Sequence, residues 1–145
     1  MSHKIVTIFG VFDGIHKGHL EFIKEAKNVG DQLVAIVARD SIVEKIKGKI
    51  PENSEALRIK MLLEVPEIDL VYLGDLETGT YKILREVGPD VVYLGYDQND
   101  LYDNLKKAMK DGILPKMELV FAKAYKPEIF KSSILNNKKN NQKSS

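Results

Sequence analysis

His16 and His19 stand three residues apart, with Lys17 and Gly18 between them. An imidazole can be a neutral donor or a cation near neutral pH, so a close pair suits a polyanion whose charge grows during a reaction. The spacing places both rings on one face of a first helical turn, where unpaired backbone N–H groups already attract anions. Gly10, Gly14 and Gly18 punctuate the same stretch, Gly10-Val11-Phe12-Asp13-Gly14-Ile15-His16-Lys17-Gly18-His19. A backbone that must approach a phosphate has no room for a Cβ. The two commonest phosphate loops are excluded: G-x-G-x-x-G is missing, and Lys17 precedes its glycine, contrary to the P-loop order.

These residues need a strand to deliver them and a helix to receive them. Lys4-Ile5-Val6-Thr7-Ile8-Phe9 is short, β-branched and nearly all apolar, the pattern of a parallel strand buried on both faces. From His19 onward Leu20, Phe22, Ile23, Ala26 and Val29 recur at helical spacing up to Gly30. A second apolar run follows at 32–38, then a charged segment from Arg39 to Lys49, then a helix start at Pro51-Glu52-Asn53-Ser54 and a mostly apolar helix to Leu63. Further strands are expected at 68–73, 90–94 and 116–121, and further helices at 80–87 and 99–110. This alternation predicts one α/β domain with a five-stranded parallel sheet and right-handed crossovers. Ligands in such sheets gather beyond the strand carboxyl ends, where strand order switches. Residues 12–19, 95–98 and 122–133 should therefore meet at one crevice.

The chain has 145 residues, 22 basic and 21 acidic, with no cysteine. One domain is expected over 1–135, large enough to bury about 68–70% of its unfolded surface. The apolar-free stretch 136–145 is expected to be a disordered polar tail. A net charge of +1 gives no global field for nucleic acid or an anionic membrane, so phosphate affinity must be local. Without cysteine there is no disulfide framework, thiolate nucleophile or zinc-thiolate site. No signal peptide or bilayer-length apolar run stands out, and a cytoplasmic location is the expectation.

His16-Lys17-Gly18-His19 after Phe12-Asp13 resembles the H-x-G-H signature of the nucleotidylyltransferase superfamily. Gly30-Asp31, the run 33–40, Lys47-Gly48, Arg58, Leu94-Gly95-Tyr96-Asp97-Gln98, Tyr125 and Ser132-Ser133 extend the likeness across residues 4–135. Within that superfamily the chain is most similar to the archaeal FAD synthetase branch, a relative of the glycerol-3-phosphate cytidylyltransferases. The resemblance implies a Rossmann-like, HUP-type fold with strand order 3-2-1-4-5 and helices on both faces, and it allows a homodimer.

The activity it implies is transfer of AMP from ATP to FMN, giving FAD and pyrophosphate. A phosphate monoester acceptor is largely ionised at neutral pH, so the protein has chiefly to align two anions and spread the developing charge. His16 and His19 are the expected catalytic residues, contacting the triphosphate with Lys17 and the Gly18 backbone. Val11 and Phe12 are implied to run along the nucleotide through their backbone, although Val11 stands where the family commonly has threonine. Asp97 is placed to accept hydrogen bonds from a ribose or base, or else is a turn aspartate. Tyr125 is an ATP contact by resemblance, or a buried ring. Lys47, with Lys45 and Lys49, is a candidate for the acceptor phosphate, as is Arg58 through a bidentate clamp, the alternative being solvated helix charge. Ser132 and Ser133 resemble a serine-rich second signature that binds terminal phosphates, or form an ordinary helix cap. Asp13 is expected to cap a loop or a helix start. A divalent cation, Mg²⁺, is expected on the triphosphate, with no ligands from the protein. CTP transfer to a small polyol phosphate stands as the alternative. The region Pro127-Glu128-Ile129-Phe130-Lys131-Ser132-Ser133 lacks the arginine and glycine of the cytidylyltransferases' R-T-x-G-I-S-T signature.

Overall fold

A computed structural model describes residues 3–122. Tyr125, Ser132, Ser133 and the 136–145 tail lie outside the described residues. Five parallel strands, β1 (Ile5–Gly10), β2 (Gln32–Val37), β3 (Leu70–Leu73), β4 (Val91–Leu94) and β5 (Glu118–Phe121), form one sheet in the order β3-β2-β1-β4-β5. Five helices connect or flank them: α1 (Lys17–Val29), α2 (Asp40–Lys47), α3 (Glu55–Leu63), α4 (Lys82–Val87) and α5 (Asn99–Lys110). The strand order is the one the resemblance implied.

Side chains alternate across a strand, and the core divides accordingly. Val6, Ile8, Leu33, Ala35, Val91 and Tyr93 meet Ile23 and Ala26 of α1 and Leu62 of α3 on one face. Ile36, Val92 and Leu94 meet Leu84 of α4 and Leu105 and Ala108 of α5 on the other. Helices thus cover both faces, and burial on both sides explains why β2 reads as a continuous apolar run.

The central pairing is unequal. β1 and β2 stay in register from Ile5↔Gln32 to Gly10↔Val37, and the Ala38 N–H still donates to the Gly10 carbonyl at 3.0 Å. β1 and β4 pair only at Val6↔Val91 and Thr7↔Val92. Beyond Thr7 the two strands part, and this is where the strand order reverses.

Two local expectations change. The charged segment after β2 contains a helix, α2, whose amphipathic spacing of Ile42, Val43 and Ile46 is crowded by charges. α1 begins at Lys17, three residues before its first apolar position, Leu20, because His16 caps it.

Candidate active site

β1 carries the chain to the sheet's carboxyl edge, and the Val11–Ile15 loop turns it back into α1. Phe12 adopts φ 54°, a left-handed conformation that costs an ordinary residue free energy and persists only where its surroundings hold it. What holds it is its ring, which is 5% exposed and packs into the α1/α3 side of the core. A Cβ on Gly10 would sit 2.8 Å from that ring, so glycine at position 10 is the condition for seating it. The Phe12 ring in turn meets His19 edge-on, with centroids 6.0 Å apart.

The two histidines close a reciprocal cap on α1. The Gly18 N–H donates to His16 Nδ1 at 3.1 Å, and the His16 N–H donates to His19 Nδ1 at 3.2 Å. This is the geometry of a capping box, with imidazoles in place of the usual hydroxyl and carboxylate. Because both Nδ1 atoms accept, each neutral ring carries its proton on Nε2. Two Nε2–H donors therefore stand together, with ring centroids 3.9 Å apart and planes inclined by 39°. Burial, and secondarily the neighbouring His16, hold the His19 pKa below its ordinary value, so His19 is neutral at pH 7. A Cβ on Gly18 would press to 3.1 Å from the His16 ring, which accounts for the glycine between the two. No acidic side chain occupies the first turn of α1, so the positive end of its dipole is left for an external anion.

Asp13 fastens the Val11–Ile15 loop to the segment before α3. Its carboxylate accepts from the backbone N–H groups of Glu52 and Asn53 at 2.8 and 2.9 Å and from Asn53 Nδ2 at 3.0 Å. Those backbone bonds, from Asn53 first and then Glu52, hold its carboxyl below the usual range. This is a loop-capping role, as its position suggested.

Arg58 departs from its expected place at the acceptor phosphate. Its side chain is fully buried, and its guanidinium donates to the carbonyls of Asn53, Val11 and Ala38 at 3.0, 2.8 and 2.9 Å and to Asp40 Oδ1 at 2.6 Å. Asp40 and Glu55 extend the network by accepting each other's backbone N–H, at 3.2 and 2.7 Å. Arg58 is thus a staple that joins the loop after β1, the end of β2 and the start of α3. Its partners lie 5 to 47 residues away in sequence, so no local pattern could reveal it.

Lys47 ends α2 on the surface, with Lys45 and Lys49 exposed beside it in sequence. Asp97 is exposed in the turn after β4, where the Gln98 N–H donates to the Gly95 carbonyl at 3.0 Å. Gln98, which sequence reasoning passed over in favour of Asp97, spans the gap between β4 and β1. Among the described residues no group of three or more His, Cys, Asp or Glu side chains is placed to hold a metal ion. Also among them, no helix is long and apolar enough to cross a membrane.

Residues 7–137 match the cytidylyltransferase-like family. A protein of Thermococcus sibiricus named FAD synthase is 38% identical over 128 residues, covering 88% of this chain and 86% of its own length. Its namesake in Thermoplasma acidophilum is 39% identical over 133 residues, 92% of each chain. The crystal structure of a Thermoplasma volcanium protein, titled a lipopolysaccharide core biosynthesis protein, is 37% identical with a TM-score of 0.74, covering 86% of this chain and all of that one. The Francisella tularensis pantoate-β-alanine ligase, 14% identical with a TM-score of 0.58 over 87% of this chain and 61% of its own, shares the fold alone. With its fold, its paired histidines and a match across nearly its whole length, this chain belongs to the cytidylyltransferase-like family of nucleotidyltransferases.

Proposed function

We propose that this nucleotidyltransferase is an FAD synthase, transferring the adenylyl group of ATP to FMN. An oxygen of the FMN phosphate attacks the α-phosphorus, the bond from that phosphorus to the bridging oxygen breaks, and pyrophosphate leaves with the electron pair. The observation that carries this reading is the pair of Nε2–H donors at the open end of α1, in a chain whose full-length relatives bear that name. Donors fixed in place before reaction stabilise charge as it builds on the leaving oxygens, without reorganising at that moment. No nucleophilic side chain is needed, because the acceptor brings its own charged oxygen.

His16, His19, Lys17 and the Gly18 backbone then hold the triphosphate, with the main chain of Val11 and Phe12 beside the nucleotide. Asp97 and Tyr125 hold the nucleoside, Ser132 and Ser133 the terminal phosphates, and Lys47 the phosphate of FMN. The histidine cap offers the triphosphate N–H groups, and in this reading Mg²⁺ arrives on the triphosphate oxygens. A cytoplasmic location goes with this reading, since ATP is supplied there.

One feature favours a flavin over a small polyol phosphate as acceptor. Ile46 and Ile50, 66% and 65% exposed, alternate with Lys45, Lys47 and Lys49 on the segment just before Glu52 and Asn53, the residues that Asp13 and Arg58 hold. Apolar surface interleaved with cations fits a flat ring system carrying a phosphate and offers nothing to glycerol. The test is to supply purified protein with Mg²⁺, ATP and FMN and follow FAD and pyrophosphate, alongside CTP with glycerol 3-phosphate. Equimolar FAD and pyrophosphate are expected. Faster turnover of CTP, or consumption of another phosphorylated acceptor without FAD, overturns the reading.

A further inference from the structure

The carboxyl halves of β1 and β4 flank the point where strand order reverses, and one side chain bridges them. Gln98 Oε1 accepts from the Gly95 N–H at 2.8 Å, and Gln98 Nε2 donates to the Phe9 carbonyl at 3.1 Å. The β1–β4 register, Thr7↔Val92, would set Phe9 opposite Leu94 two residues on. In a continuing parallel ladder the Gly95 N–H and the Phe9 carbonyl are the two groups that would bond directly. The side-chain amide of Gln98 is interposed between them instead, taking the bond from one and giving it to the other. Both main-chain groups stay satisfied while the strands stand apart by the width of an amide.

The position of Gln98 sharpens this. It is the N-cap residue of α5, yet its side chain makes no capping bond, because the amide is committed to the strands. It adjoins Asp97, and its bond to Phe9 lies three residues before Phe12, whose left-handed backbone starts the phosphate loop.

We propose that Gln98 is a positioning residue for the nucleoside half of ATP. As an inserted rung it wedges the switch point open and fixes the separation between the Phe9–Phe12 wall and the Gly95–Asp97 wall. The polyphosphate half, held by the histidine cap, does not depend on it. This rests on ATP being the donor. Failure of that reading appears as absence of MgATP binding to the wild-type protein, whereas failure of this inference appears only in the variants.

Gln98→Glu keeps the size and the acceptor but, when ionised, sets a carboxylate oxygen against the Phe9 carbonyl. At pH 8 it should weaken MgATP binding about tenfold, the order expected for a main-chain carbonyl left without its donor. Inorganic pyrophosphate, which needs only the histidine cap, should bind within about twofold of wild type. On acidification the protonated carboxyl regains a donor, so the variant's MgATP affinity relative to wild type should recover. Gln98→Met loses both bonds and should be weakened at every pH with no recovery. Calorimetric titration of both proteins with MgATP and with pyrophosphate between pH 5.5 and 8 reads all four outcomes. Equal loss of MgATP and pyrophosphate binding, unchanged MgATP affinity in either variant at pH 8, or acid recovery in Gln98→Met as well would each overturn the proposal.

Discussion

Arg58→Met separates two roles for a cation beside a phosphate-handling loop. If the guanidinium clamps the acceptor phosphate, its loss raises the KM for FMN and leaves the fold intact. If it is the staple seen in the structure, its loss leaves the carbonyls of Val11, Ala38 and Asn53 and the Asp40 carboxylate without their donor, in a site where the arginine itself is fully buried. Removing one partner of a buried charged pair costs about 3–5 kcal/mol. Asp40 is 34% exposed and can regain water, which favours the lower half of that range. For a domain of this size each kcal/mol moves Tm by roughly 3–4 °C, so the variant should melt about 10–15 °C lower. Arg58→Lys, which keeps the charge but not the fork of donors, should recover less than half of the loss. Thermal unfolding followed by circular dichroism, with steady-state kinetics below the lower Tm, measures both effects. An unchanged Tm with a raised KM for FMN would refute the staple and restore the clamp.

Replacing His16 or His19 by Asn should lower kcat about 10²–10³-fold, the cost of one preorganised donor, with a far smaller change in KM for ATP; initial rates of FAD formation decide this. Gly18→Ala sets a Cβ against a His16 ring already in contact with His19, so kcat should fall about tenfold while Tm moves little. The lowered pKa of His19 means that the folded protein binds fewer protons than the unfolded chain as pH falls below about 6.5. Stability should therefore be complete above that value and decline as pH drops toward the lower folded pKa. The Tm difference between pH 7.5 and 5.5 should be larger in wild type than in His19→Asn, and equal differences would contradict the half-buried neutral ring. Asp13→Ala frees the 52–53 segment from the phosphate loop, and should raise the KM for FMN more than that for ATP in the same rate assay.

The sheet was legible because its strands are short, β-branched and separated by helices with recognisable stops, and the histidine pair because its residue types and spacing are local. Helix α2 was hidden for a physical reason. Its N-cap residue, Arg39, makes no side-chain cap, and its apolar stripe is narrow among charges, so only docking of Val43 into the core discloses it. The apolar pattern of α1 starts later than the helix itself, and the reciprocal cap is not legible because an imidazole is not among the usual N-cap residues, although its Nδ1 does what a serine oxygen does. Arg58 and Gln98 were misread or passed over because each acts on main-chain groups far away in sequence, which no spacing rule carries. Asp97 stands out in the sequence for its place just beyond β4, whereas it is its neighbour Gln98 that bridges the strands.

Charge stabilisation at the site depends on how the two imidazoles are protonated and what they meet. Nitrogen-15 NMR of histidine-labelled protein, with the His16 and His19 signals assigned by single substitution, reports it directly at pH 7.5. Both rings should show the Nε2–H tautomer before ligand is added, and both Nε2 resonances should shift on addition of MgATP while the Nδ1 resonances hold. A proton on Nδ1 in either ring, or Nε2 signals indifferent to the nucleotide, would contradict the account.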